Sequence, residues 1–538
     1  GEAPAVIISP DEKLKVHYNQ DLLQKATTSF DPDSWKIQLS CLTASSALFV
    51  KTNAEVKQNG SNLRLQLHRG ENTILISVNK KPQVTGKQSL DQTAGWWHNK
   101  WNTSACLDLP EEKAQQTWVR SVAYMLYSYN DDPFGAAPPN GLTGICWPFP
   151  FPQDLSYISA LLLASGNYNV SKAWVEFWGE RVQGMKDYTK RFYGVDGALA
   201  PWVFPYGDFK GYHDPLPPNK CYYELHNSGY MARTAFETSV YVNDKKWTEK
   251  YVIPLIRELA LFYRNISKKE ADGLWHLFIT PSMGQDEEGG ENKKDYLCAL
   301  TSAEYCFQKA IELNLDTDGF YRQVLKDGLA FSSLKSKSGI YFSNQGSGEQ
   351  DFGKQKHPVQ LNSLTFLPVW KEVSQPTALA YQHRYEITEV AKAFHFSGWT
   401  LGDFLLAGSR IGDVAGWQKD WDNLRKSDYV DPDWIQVYES SELHRHSFYV
   451  TTSDLIALSL LNNLVSDWFG KIEIAKCNPW KGDVFFRNFY SILGVKISGK
   501  INGAHSELTL EAWKDCEFDL QGKSVRMKKN EVKSITLN

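Results

Sequence analysis

The chain has 538 residues, too many for one ordinary hydrophobic core, so several domains or one large closed architecture are expected. Charged residues make up 22% and hydrophobic ones 42%, which excludes an extensively disordered chain. The net charge of −4, from 58 basic and 62 acidic residues with no basic stripe, gives no footprint for nucleic acid. The basic stretch from Lys523 to Lys533 is short and reads as solvated strand surface.

The aromatic content stands out: 19 Trp, 26 Tyr and 27 Phe. Most such rings fill cores, but a Trp excess also suits a cleft that stacks against sugar rings. Cys41, Cys106, Cys146, Cys221, Cys298, Cys306, Cys477 and Cys516 form no CxxC, which argues against a structural zinc site and a disulfide scaffold. One or two disulfides remain open in an oxidising compartment. Asn-x-Ser/Thr sequons begin at Asn59, Asn102, Asn169 and Asn265, a number that chance can supply. No signal peptide or membrane span is visible. The opening GEAPAV reads as a mature or engineered start, and export to a periplasm or outside the cell is expected.

In chain order, residues 1–90 are β-rich: WKIQLS, SALFVKT, NLRLQLH and NTILISVN alternate in polarity between polar turns. Residues 91–115, with the Trp cluster of GWWHNKWNTS, read as an irregular linker. From 116 the period becomes helical in QTWVRSVAYMLYSYN, DLSYISALLLASG, SKAWVEFWGERVQGMKDYTKRFYG, NSGYMARTAFETSVYVN, KWTEKYVIPLIRELALFYRNIS and TSAEYCFQKAIELN. SLTFLPVWKEVS, ITEVAKAFHF, LGDFLLAGSRIGD, GWQKDWDNLRKS and TSDLIALSLLNNLVSDWFG continue the pattern. Long Gly/Pro/Trp loops alternate with short turns, and no strict repeat is present. The expectation is a mainly α protein: an (α/α)6 toroid over 116–470, with functional loops grouped at one end and a C-terminal β domain at 471–538.

Several segments carry a family resemblance. WPFPFPQDLSYISALLLASG, GVDGALAPWVFP, CYYELHNSGYMARTAFE and FITPSMGQDEEGGENKKDYLCALTSAEYCFQKAIEL are similar, in order and spacing, to segments of the (α/α)6-barrel glycosidase clan. HPVQLNSLTFLPV is weakly so. The likeness is to the maltose and kojibiose phosphorylase family, its inverting hydrolase relatives and the glucoamylases, and more distantly to the inverting α-L-fucosidases. It covers roughly 144–300 and 350–470. The family's GPDEYH stands here as GQDEEG, and its serine-rich phosphate-binding segment has no clear equivalent.

Glycoside hydrolysis needs a protonated acid and a second carboxylate. Asp286, Glu287 and Glu288 crowd one glycine-flanked loop, where like charges raise one carboxyl pKa; the alternative is a solvated acidic loop. The resemblance implies Glu287 as general acid and Glu439 as general base of an inverting hydrolase, with Glu442 the rival base. His444 and His446 stand beside that rival, as orienting groups or as plain loop residues. Asp154 reads as a helix cap; the resemblance also places it on sugar hydroxyls in the innermost subsite, supported by Trp147, Trp202 and His226. Glu224, Lys356 and Gln360 are further substrate-binding candidates. Asp454 reads as a charge at a helix N-terminus. The expected partner is an oligosaccharide or glycan, met in exo fashion. No cofactor is required, although calcium leaves no obligatory linear motif, and oligomeric state is open. Phosphorolysis, polysaccharide lysis from a Tyr or His base, and non-catalytic carbohydrate binding are the alternatives.

Overall fold

The computed structural model describes residues 4–10, 13–16, 19–23, 25–41, 44–129, 131, 151–202, 223–285, 289–388, 398–430, 437 and 449–538. They fall into two compact units, one ending at Thr103 and the other beginning at Ser104.

The first unit is antiparallel β. Strands β1 (Ala5–Ile8), β8 (Asn62–Gln66) and β7 (Glu55–Asn59) make one sheet. β4 (Lys25–Asp31), β5 (Ser34–Cys41), β6 (Ala44–Thr52) and β9 (Ile74–Val78) make another, and β2 (Lys13–Val16) pairs with β3 (Asn19–Leu23). Alternation sets the faces: Leu63 and Leu65 are buried while Arg64 between them is exposed. With Ile37, Val50 and Ala54 they form the unit's core.

Where the sequence suggests an irregular linker after residue 90, the chain instead forms helix α1 (Gly86–Thr103). A reciprocal capping box starts it: Gln88 N donates to Thr85 Oγ1, and Thr85 N donates to Gln88 Oε1. The Trp cluster then supports it at helical spacing, with Trp97 stacked on Trp101 and Lys100 over Trp96.

The second unit is a toroid of paired helices, as expected. Its inner helices are α3 (Pro152–Ala164), α6 (Asn227–Val242), α8 (Leu297–Glu312), α10 (Asn362–Thr365), α12 (Gly398–Ile411) and α14 (Val450–Leu464). Each packs on the next, and α14 packs back on α3, so the ring closes. Alternating with them in sequence, the first preceding α3, run the outer helices α2 (Glu112–Ser128), α4 (Tyr168–Gly179), α7 (Ile253–Ile266), α9 (Phe320–Asp327), α11 (Gln375–Gln382) and α13 (Val414–Lys426), with α5 (Val182–Tyr193) an addition beside α7. Because an outer helix returns the chain after each inner one, all inner helices start at the same end of the toroid.

Residue chemistry separates the rings. Every residue of α14 is buried, as is every residue of α3 except Gln153, so both are enclosed nearly all round and their Ser, Thr, Asn and Asp side chains are buried with the apolar ones. Outer α13 buries only the stripe Trp417, Asp420, Trp421 and Leu424. One helical expectation is cut short: SLTFLPVWKEVS gives only the single turn of α10. Pro368 lacks an amide donor and disfavours helical geometry at Leu367, so the turn cannot propagate. The segment ITEVAKAFHF lies outside the described residues from 389 onward.

Two short pairs, β11 (Ser267–Lys269) with β12 (Trp275–Leu277) and β13 (Val465–Ser466) with β14 (Glu473–Ile474), edge the helices. The C-terminal sheet has the order β10 (Cys106–Asp108), β15 (Asp483–Tyr490), β16 (Val495–Asn502), β17 (His505–Ala512), β20 (Val532–Leu537), with β18 (Cys516–Leu520) and β19 (Lys523–Met527) forming a hairpin. It belongs to the same compact unit as the toroid. β10 enters it from the segment preceding the first toroid helix, and Tyr241 of α6 donates to the Tyr490 carbonyl at 2.9 Å. No described helix is long and apolar enough to cross a membrane.

Candidate active site

The described candidates gather where the inner helices begin. Asp154 lies in the first turn of α3 and is buried. It does not cap that helix: Phe151 occupies the cap position, and no side-chain cap bond forms. Instead its Oδ1 accepts the Tyr449 hydroxyl and the Thr451 hydroxyl, the latter at 2.8 Å. One carboxylate thereby joins the starts of α3 and α14, nearly three hundred positions apart in sequence (297 for Thr451).

Glu224 and His226 immediately precede α6 and are buried. Asn227 Nδ2 donates to Glu224 Oε2 at 3.1 Å, His226 Nε2 lies 3.4 Å from the same oxygen, and that ring nitrogen is 2.8 Å from Gln153 Oε1 at the start of α3. Gln153 thus links the α3 and α6 entrances, a contact with no signature in the sequence.

The segments flanking the acidic loop on both sides are anchored. Leu225 N donates to Met283 O and Met283 N to Tyr223 O, so the backbone before the loop runs parallel to that of Glu224. Tyr230 donates to Gln285 Oε1 at 2.6 Å, and Asn362 Nδ2 donates to the same oxygen at 2.8 Å. Beyond the loop, Tyr296 donates to Gly290 O at 2.7 Å, and Asn292 exchanges hydrogen bonds with Ser282. A buried latch closes its base: Asp295 Oδ2 is 2.6 Å from His276 Nδ1, while Asp295 Oδ1 accepts Leu277 N. Burial pulls the His276 pKa down, but its hydrogen bonds to Asp295 and Asp272 outweigh that and raise it. A cavity of about 400 Å³ adjoins Gly289 and Gly290, lined also by Ser343, Asn344, Ser347 and Lys354.

Other sequence candidates fare differently. Trp202 packs edge-on against Phe151 at 5.2 Å, just before α3. Lys356 accepts the Thr400 hydroxyl through its carbonyl, tying the segment before α10 to the start of α12. Gln360 is buried, its amide bonded to Gln355 and to the Tyr341 carbonyl, which makes it a support for the segment before α10. Glu287, with Asp286 and Glu288, lies outside the described residues, as do Trp147, Glu439, Glu442, His444 and His446.

Asp454 departs from its reading as a helix-terminal charge. It is the fifth residue of α14, fully buried, with neither carboxyl oxygen having a hydrogen-bond partner among the described residues, and burial raises its pKa well above the usual range. A second buried acid, Asp403 on α12, accepts the Tyr157 hydroxyl at 2.8 Å; burial pushes its pKa to about 8. Neither belongs to a hydrophobic-moment pattern that would have flagged it, since both stand on helices buried nearly all round. Among the described residues no group of three or more His, Cys, Asp or Glu is placed to hold a metal ion.

A closed inner ring of helices, alternating in sequence with an outer set and with acidic and amide side chains collected at one end, defines an (α/α)6 toroid. No protein-family model matches the chain. Over 193 residues it is 24% identical to a kojibiose hydrolase of Flavobacterium johnsoniae; the match takes in 34% of this chain and 26% of that relative, about a quarter of its length. Among solved structures, a human-microbiome protein named as a candidate kojibiose phosphorylase superposes with a TM-score of 0.70 at 14% identity, covering 99% of this chain and 78% of that one. A family GH78 rhamnosidase of a Bacillus species gives 0.51 at 10% identity, covering 90% and 54%. At these identities the structural likeness concerns the fold.

Proposed function

We propose that this chain cleaves the glycosidic bond of an oligosaccharide at the mouth where the inner helices begin. The observation that carries this reading is the pairing of Met283 with Tyr223 and Leu225, which starts the acidic loop beside Glu224 and His226. The flanks of the loop that carries the proposed acid, and the buried polar groups proposed to orient hydroxyls, lie at one end of the scaffold, which supports sugar cleavage there. Glu287 is the proposed general acid. Glu224, His226 and Asp154 are proposed to bind the sugar nearest the cleaved bond.

Phosphate is the acceptor we put first. The likeness spanning nearly the whole chain is to the candidate phosphorylase, and inner-helix N-termini facing one mouth favour an anion there. Hydrolysis is the second reading: the sequence relative is a kojibiose hydrolase, and the chain has no clear serine-rich phosphate segment. In that reading Glu439 activates water in an inverting displacement. The test incubates the purified chain with kojibiose and a panel of α- and β-linked disaccharides, with and without inorganic phosphate. Phosphate-dependent formation of a sugar 1-phosphate supports phosphorolysis. Two free sugars released without phosphate establish hydrolysis, and an unsaturated product absorbing in the ultraviolet would mean lysis. No consumption of any glycan would overturn the proposal. Export to a periplasm or beyond the cell fits a glycan substrate; localising the tagged full-length precursor by fractionation tests it.

A further inference from the structure

We propose that a cavity at the C-terminal ends of the inner helices, beside the short inner helix, binds a small hydroxylated anion through the guanidinium groups of Arg233 and Arg410. The cavity, of about 630 Å³, is lined by these two residues together with Glu237, Asn462, Asp467 and Trp468. It lies where α10 stops after one turn and leaves its last carbonyls without helical donors.

Part of the arginine chemistry is structural. Arg410 Nη1 donates to Leu364 O at 2.5 Å and Thr365 O at 3.2 Å, and Arg233 Nη1 donates to Phe366 O at 2.7 Å, so both cap the truncated helix. Arg233 Nε bonds Glu237 Oε1 and Arg410 Nε bonds Asn462 Oδ1, each at 2.9 Å. That accounts for Nε and Nη1 only. Among the described residues neither Nη2 has a hydrogen-bond partner, although each arginine is only 3% exposed.

The electrostatics point the same way. Arg410 makes no ion pair with any described carboxylate, and both guanidinium groups lie over the Trp468 ring, at 3.6 Å for Arg410 and 5.0 Å for Arg233. Burial, and then the charge of Arg233, hold the Arg410 pKa well below its usual value. A guanidinium does not shed its proton in a protein, so such a site is completed by an anion and not by deprotonation. Two unused Nη2 groups on the wall of one cavity suit a phosphate or carboxylate group. Glu237 and Asp467 on the same walls offer acceptors to hydroxyls carried by the ligand.

The test titrates glucose 6-phosphate and gluconate into the full chain by calorimetry at constant ionic strength, alongside the variants Arg410→Lys, Arg233→Lys and Glu287→Gln. Saturable binding weakened tenfold or more by either lysine variant, and unchanged in Glu287→Gln, is expected. Crystals grown without oxyanions and soaked in selenate should show anomalous density between the two arginines. This readout stands even if a lysine variant fails to fold. Binding lost in Glu287→Gln but retained in both lysine variants would put the anion at the mouth and overturn the proposal without touching the glycosidase reading. Absence of binding together with absence of selenate density would overturn it as well.

Discussion

Tyr157 and Asp403, 246 positions apart, meet inside the toroid, where the phenol donates to Asp403 Oδ1 at 2.8 Å. The same phenol ring packs on Phe366 at 3.6 Å, and Phe366 stacks on Tyr230, which reaches Gln285 at the acidic loop. Three inner helices and the segment after a fourth are therefore cross-braced beneath the candidate site.

This brace makes stability depend on pH. Burial raises the Asp403 pKa to about 8, partly offset by the hydrogen bond from Tyr157, against about 3.9 in an unfolded chain. Between those values the native state holds more protons than the unfolded one, so stability falls as pH rises towards 8 and levels above it. Asp403→Asn should remove much of that slope. Urea unfolding at pH 6 and pH 9 should show a loss smaller than that of the wild type by on the order of 1–3 kcal/mol. An unchanged slope would mean that Asp403 is ionised at neutral pH.

The His276–Asp295 latch loses stabilisation in the same pH direction, here because a base is held in its charged form. Hydrogen bonds raise the His276 pKa against the pull of burial, so its stabilisation is fully present below the unfolded value of about 6.5 and is lost as pH rises through the folded one. His276→Gln should cost about 1–2 kcal/mol near pH 6 and less near pH 8.5. Because the latch closes the base of the acidic loop, the variant should also lower kcat more at pH 8.5 than its small stability loss there would suggest, and paired melts and rate measurements check both.

Asp154 offers a separable pair of substitutions. Asp154→Ala leaves the hydroxyls of Tyr449 and Thr451 without their acceptor and should destabilise by about 1–3 kcal/mol. Asp154→Asn keeps an acceptor oxygen and should melt within a few degrees of the wild type. If Asp154 also binds substrate, the Asn variant should raise KM about tenfold or more, the loss of roughly one charged hydrogen bond. An unaltered KM would confine Asp154 to its structural role.

The two candidate catalytic carboxylates are tested by removal. Glu287→Gln should leave glycan binding largely intact and reduce turnover by about 10²–10⁴-fold. Under the hydrolytic reading Glu439→Gln should abolish turnover and be partly rescued by azide, which attacks without base assistance, while a phosphorylase should be far less sensitive to that substitution. Proton NMR of the first-released sugar decides stereochemistry: the anomer opposite to that of the substrate marks inversion, and retention would remove Glu439 as base.

Helix α1 shows how a legible signal is missed. Thr85 and Gln88 stand at capping-box spacing, and Trp97 and Trp101 stack one turn apart. The eye is drawn to the dense indoles and low apolar periodicity, and α1 buries no residue, so the core-facing stripe that usually betrays a helix is absent. Asp454 shows a different limit. Acidic residues near helix starts are ordinarily dipole partners, and nothing local distinguishes one that the ring of neighbours has sealed from water.

By itself the sequence determined the class of fold, because apolar residues at helical spacing in segment after segment leave few ways to bury so many stripes except ring against ring. It also determined the strands at both ends, through their alternation, whereas SLTFLPVWKEVS reads as one helix although Pro368 stops α10 after a turn. Only the tertiary structure decided which polar residues meet. Glu224 beside Met283, Asp154 under Tyr449 and Thr451, and Arg233 with Arg410 over Trp468 are all products of ring closure. Periodicity reports which face of a helix is buried; it does not report which other helix that face will touch, and in a closed toroid that choice sets the chemistry.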